Sequence, residues 1–231
     1  MEEKIRWLLV VVYATAMAWV ESAAVLYLRV ISGRLQPYQV NPLPLNNSAL
    51  PLGPVEMMRE AATLVMLITV GWLAGRSRWA RLGYFIIAFG IWDIFYYVFL
   101  HVMAGWPASL GDWDVLFLLP LPWWGPVLAP MLIALLLAIG GTLLVYFNQS
   151  GFQFAPGRAA SLVCFGGVVL SLYVFMSDAL RAVSEGKNQS AISNTLPISF
   201  NWLLFIPALI LLSAPILDLI WQWRKNTTAS G

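Results

Sequence analysis

The chain has 231 residues, 60% of them hydrophobic and 10% charged, with a formal net charge of +2 and a mean hydropathy of +0.77. Soluble domains carry about 25% charged residues, so this composition excludes an ordinary soluble protein and specifies an all-α, polytopic integral membrane protein. A charge this small gives no electrostatic case for a nucleic-acid partner, and the single cysteine, Cys164, excludes an intrachain disulfide.

A hydrocarbon core of ~30 Å needs ~20 helical residues at 1.5 Å each. Six runs reach that length, at about 6–30, 55–75, 80–104, 125–147, 158–182 and 199–223. They make one transmembrane domain, with the lipid bilayer as its solvent and no soluble domain. Lys4 and Arg6 ahead of the first run imitate a signal peptide. The run continues past Glu21 to Val30, beyond a 7–15-residue signal core, and is read as a retained helix. Glu21 shares a face with Arg29, two turns on, so Arg29 or Arg59 can neutralise it, or desolvation can protonate it. The loop over about 31–54 is rich in turn formers, Pro37, Pro42, Pro44, Asn46, Asn47 and Pro51 among them, and is expected against the helix ends.

The second helix opens Val55-Glu56-Met57-Met58-Arg59-Glu60. Glu56 and Glu60 lie on one face at i, i+4, with Arg59 one step round. Acids also suit a helix's positive N-terminal end, so Glu56 equally reads as a water-facing terminal residue. On the third helix Asp93, Tyr97 and His101 recur at i, i+4, i+8 and form one stripe. That spacing suits a relay or part of a metal site.

The loop that follows has no basic residue between Gly105 and Gly125. Its segment 112–122 is too short to span and is bounded by Pro120 and Pro122. It reads as an interfacial or re-entrant piece packed on protein, with Asp112 and Asp114 as solvated loop acids. Pro42-Leu43-Pro44 before Gly53-Pro54-Val55 is echoed by Pro120-Leu121-Pro122 before Gly125-Pro126-Val127, a faint trace of a repeat. In the last three spans the notable residues are an i, i+3 pair, Asp178 and Arg181, then Asp218 near Arg224. Pro207 and Pro215 are expected to kink the sixth.

Lys4, Arg6, Arg76, Arg78, Arg81, Arg158, Arg224 and Lys225 fall at one side, against Arg29, Arg34, Arg181 and Lys187 at the other. Eight against four places both termini in the cytoplasm, in a plasma or inner cell membrane. Trp7, Trp72, Trp79, Trp221 and Trp223 then mark the inner interface, and Trp106, Trp113, Trp123, Trp124 and Trp202 the outer one.

A carboxylate at bilayer depth costs roughly 2.5–3.5 kcal/mol on the lenient insertion scale and normally faces a partner or a water-filled cavity. Glu21, Glu56, Arg59, Glu60, Asp93, Tyr97 and His101 therefore outline an outward-opening site, roofed by the Trp106–Trp124 loop. Three readings stay open. The site binds a cation, proton or small polar ligand in a transporter or sensor; the acids form a structural network in a non-catalytic subunit alongside other membrane subunits; or Glu21, Glu60, Asp93 and His101 hold a metal in a membrane-embedded enzyme. The sequence has no Walker loop, nucleophile elbow or HExxH motif, and it specifies no cofactor.

Overall fold

The computed structural model describes residues 2–31, 33, 37, 52–117, 120–148, 155–187 and 197–229. Its helices are α1 (Glu2–Ile31), α2 (Leu52–Ala74), α3 (Arg78–Ala104), α4 (Leu128–Asn148), α5 (Arg158–Ser184), α6 (Trp202–Leu212) and α7 (Ala214–Ala229), with two short strands, β1 (Trp113–Val115) and β2 (Trp124–Pro126), between α3 and α4. Among the described residues, six spans are long and apolar enough to cross a membrane, α6 and α7 together making the sixth. The protein is an all-α, multi-pass membrane protein. Much of the loop after α1, including Pro42–Pro44 of the proposed echo and Arg34, lies outside the described residues.

Local chemistry sets the boundaries. Ser77 caps α3 by accepting the Ala80 N–H at 3.1 Å, and Gly105, at φ 66°, ends it by donating to the His101 carbonyl at 2.9 Å. That left-handed position suits glycine. The fourth helix starts at Leu128 rather than at residue 125, because Trp124–Pro126 is spent on β2. In the sixth span Pro215 has no N–H to give Leu211. The chain turns at Ser213, whose hydroxyl donates to the Ile210 carbonyl at 2.7 Å.

The segment 112–122 does not cross. Its described residues belong to an antiparallel hairpin pairing Trp113 with Pro126, Asp114 with Gly125 and Val115 with Trp124. Two more bonds extend the ladder, Leu116 N–H to Trp123 O and Trp123 N–H to Phe117 O, both 2.8 Å.

Helix α3 is the hub, packed on α1, α2 and α4, while α5 packs mainly on α6. Glycines let α3 and α4 approach closely. A Cβ at Gly141 would lie 2.7 Å from the Gly83 carbonyl oxygen, and one at Gly90 would lie 2.9 Å from the Ala138 nitrogen. Tyr84, Ile87, Ala88 and Trp92 of α3 meet Val10, Ala14 and Ala18 of α1 in the main buried cluster. Outward faces are apolar too: Met58, Val65 and Leu73 on α2, Leu162, Phe165 and Val169 on α5, and Leu203 and Ile210 on α6 are exposed. Apolar surface on that scale is a liability in water and natural against lipid tails.

Candidate functional site

A cavity of about 650 Å³ lies between α1, α2, α3 and the hairpin, with α4 and α5 closing its far side. It occupies the end of the bundle opposite the chain termini: its α1 residues come from Glu21 onward, its α2 residues stop at Thr63, and its α3 residues start at Phe89. Three groups of side chains give it its chemistry.

The first group joins α1 to α2. Arg59 reaches from the third turn of α2 into the bundle, where it pairs with Glu21 and with Glu56, its Nε 2.9 Å from Glu56 Oε2. Thr63, one turn on from Arg59, donates its hydroxyl to Glu21 Oε2 at 3.1 Å. Glu60 is buried in the same wall. Of the two cations the sequence offers Glu21, the structure uses Arg59.

Arg29 instead serves a residue of the hairpin. Its guanidinium is 3.2 Å from Asp114 Oδ1 and lies over the Trp106 ring, 3.9 Å from its centroid. Asp114 is 1% exposed, which corrects its reading as a solvated loop acid. The β1–β2 pairing turns it inward, under the lid. Its carboxylate accepts the Val115 N–H at 3.0 Å and a bond from the Tyr97 hydroxyl. Burial nonetheless pushes its pKa up to about 6, outweighing Arg29 and both hydrogen bonds. Asp112, two residues earlier, does stay at the surface. There its slight burial is outweighed by bonds from the Ser109 hydroxyl and the Ala108 N–H, which hold its pKa below the usual value.

Asp93 makes the third feature. It lines the cavity between Trp92 and Tyr96, and no hydrogen bond or ion pair reaches it among the described residues. Around it the walls are aromatic: Phe89 and Trp92 of α3, Phe117 and Trp123 of the hairpin, and Phe175 of α5. Trp106, Trp123 and Trp124, expected as interfacial anchors, are turned inward instead. Trp106 and Trp124 are buried, and Trp123 and Trp124 line the cavity. The indole N–H groups of Trp92, Trp123 and Trp124 have no acceptor among the described residues.

Six of the seven residues singled out in the sequence thus border one space: Glu21, Glu56, Arg59, Glu60, Asp93 and Tyr97. His101 does not. One turn beyond Tyr97 it has passed the cavity's edge, and its Nδ1 lies 2.8 Å from the Pro107 carbonyl, tying α3 to the start of the lid. Among the described residues, no three of His, Cys, Asp and Glu are grouped to hold a metal. The remaining polar pairs are peripheral: Asp178 lies 3.7 Å from Arg181, and Asp218 accepts the Gly157 N–H at 2.6 Å and a bond from Gln222.

Sequence alone missed Arg29, Asp114 and the inward turn of the lid's tryptophans as parts of this site. The usable signal was Trp113-Asp114-Val115 and Trp123-Trp124 on either side of Pro120-Leu121-Pro122, aromatic and β-branched residues flanking a turn, which is hairpin chemistry. No protein-family model matches the chain, and neither a curated protein nor a solved structure is detectably similar to it.

Proposed function

We propose that this membrane protein binds a cation or small polar ligand in the lidded cavity, as a transporter or a sensor, with Asp93 as the ligand-facing acid. The observation that carries this reading is the contrast between Asp93 and its neighbours. Arg59 is shared by Glu21 and Glu56, and Asp114 is held by Arg29, whereas Asp93 lines the cavity with no such partner among the described residues. A polar group at that depth is costly unless something meets it. The basic-residue asymmetry supports cytoplasmic termini and a cavity opening on the outer face of a cell membrane.

The Arg59 network favours a second reading, in which the acids fix helix packing in a subunit of a larger assembly. One substitution separates the two. Asp93→Asn keeps the side chain's shape and removes its charge. Under the binding reading, the purified wild type shifts its unfolding temperature in response to protons or to members of a cation panel, while Asp93→Asn unfolds near the same baseline and has lost that response. Identical responses from the two proteins would leave the structural reading in place.

A further inference from the structure

We infer that the ligand is an organic cation, a protonated amine joined to an apolar body, with its nitrogen at Asp93 and its body against the aromatic lid. This rests on the reading of the cavity as a binding site and names its ligand class. Four observations converge on it.

Size comes first. About 650 Å³ is the volume of a pocket for a drug-sized molecule, far more than a desolvated metal ion needs. Second, a hard inorganic cation wants about six to eight oxygens at close range, and no three of His, Cys, Asp and Glu are grouped to hold one among the described residues. Third, the sign is set by what the arginines already do. Arg59 is taken by Glu21 and Glu56 and Arg29 by Asp114, so an anionic ligand would have to displace a carboxylate, while a cation meets Asp93 directly. Fourth, Trp92, Phe117, Trp123 and Phe175 line the same space. Aromatic walls bury an apolar body, and their faces attract an adjacent cation. Half-buried Asp93 and the lid aromatics come from different elements, so the acid and the apolar wall are independent features of one cavity.

The test uses one naphthyl body in three charge states: 2-(2-naphthyl)ethylamine, 2-ethylnaphthalene and 2-naphthylacetate, alongside sodium and calcium ions. Binding to the full chain in zwitterionic nanodiscs is measured calorimetrically, with protein-free nanodiscs subtracted. The amine is expected to bind saturably and at least about tenfold more tightly than the hydrocarbon or the carboxylate. Asp93→Asn is expected to erase that preference, and Trp123→Ala to weaken the amine several-fold. Carboxylate binding as tight as amine binding overturns the inference, as does an unchanged amine affinity in a folded Asp93→Asn. If Asp93→Asn does not fold, Trp123→Ala, which changes only the lid, decides: an unaltered amine affinity there overturns it. Asp93-dependent binding of sodium or calcium without the amine removes the organic-cation inference and leaves the proposed function standing. Silence from every probe and from protons removes both.

Discussion

Asp114 and Arg29 show what a single ion pair does under the lid. Their partnership spans 85 positions, so no local spacing announces it, and Arg29 had a nearer acid in Glu21 on its own helix. What decides the matter is the inward turn of β1, which removes Asp114 from water. Its pKa of about 6 lies above the ordinary aspartate value, so the folded protein binds this proton more tightly than the unfolded chain does. Stability must then fall as pH rises from about 4 to 6, because over that window folding has to take up a proton that the unfolded chain has already lost. Asp114→Asn, which cannot ionise, lacks this slope. Unfolding temperatures measured between pH 4 and 8 should show wild type losing ground to Asp114→Asn as pH rises, by on the order of 2 kcal/mol across the window. A difference constant with pH, or one of opposite sign, would show that Arg29 outweighs burial. The first-turn and mid-helix acids were legible in the sequence because a charge in an apolar run is visible without a structure. The pairing among them was not, since Glu21 had two eligible arginines and only packing chose between them.

At the scale of elements, the apolar runs gave the helices to within a few residues, since spanning length and capping chemistry are local properties. The lid was harder to read. A hairpin of two three-residue strands carries too few residues for an alternating pattern to stand out, and its tryptophans suited an interfacial belt equally well. Its consequence for α4 is direct: the residues used in β2 delay the helix to Leu128. The α3–α4 contact offers a clean packing test. Ala at Gly90 would drive a methyl group into the backbone at Ala138, 2.9 Å away, whereas Gly166 on α5 has nothing within 4 Å of its missing Cβ. Gly90→Ala is expected to destabilise by roughly 1–3 kcal/mol through overpacking. Gly166→Ala should be neutral or stabilising by up to about 1 kcal/mol from helix propensity. Thermal unfolding of the two variants in one detergent checks both, and an unfolding temperature for Gly90→Ala equal to that of wild type would mean that α4 yields without cost.

For the whole molecule, six spans bring both ends of the chain to one side, and the cavity lies towards the other. Which side is the cytoplasm rests on the eight-to-four distribution of lysine and arginine. Cysteine placed at Ser109, in the exposed turn before β1, is expected to react with a membrane-impermeant maleimide from outside intact cells. Cysteine at Ser77, in the turn between α2 and α3, should react only after the membrane is opened. The reverse pattern would turn the cavity towards the cytoplasm. The six-span membrane class was readable from composition and run length because it depends on sums over the chain. The cavity depends on which faces of α1, α2 and α3 meet, and helices that are apolar nearly all round leave that choice to their few glycines and charges.

The position of Asp93 along α3 has an electrical meaning. It stands fifteen residues beyond Arg78 and eleven short of Ala104, roughly 16 Å along the axis from the nearer helix end. A charge moving between the lid and this carboxylate therefore travels through part of the voltage drop across the bilayer. The full drop is worth about 2.3 kcal/mol per elementary charge at 100 mV, and an acid at this depth samples a fraction of it. On the proposed binding reading, charging or discharging Asp93 is tied to the energised state of the membrane, and the same side chain would hold its counter-charge differently in a polarised cell and in a depolarised vesicle.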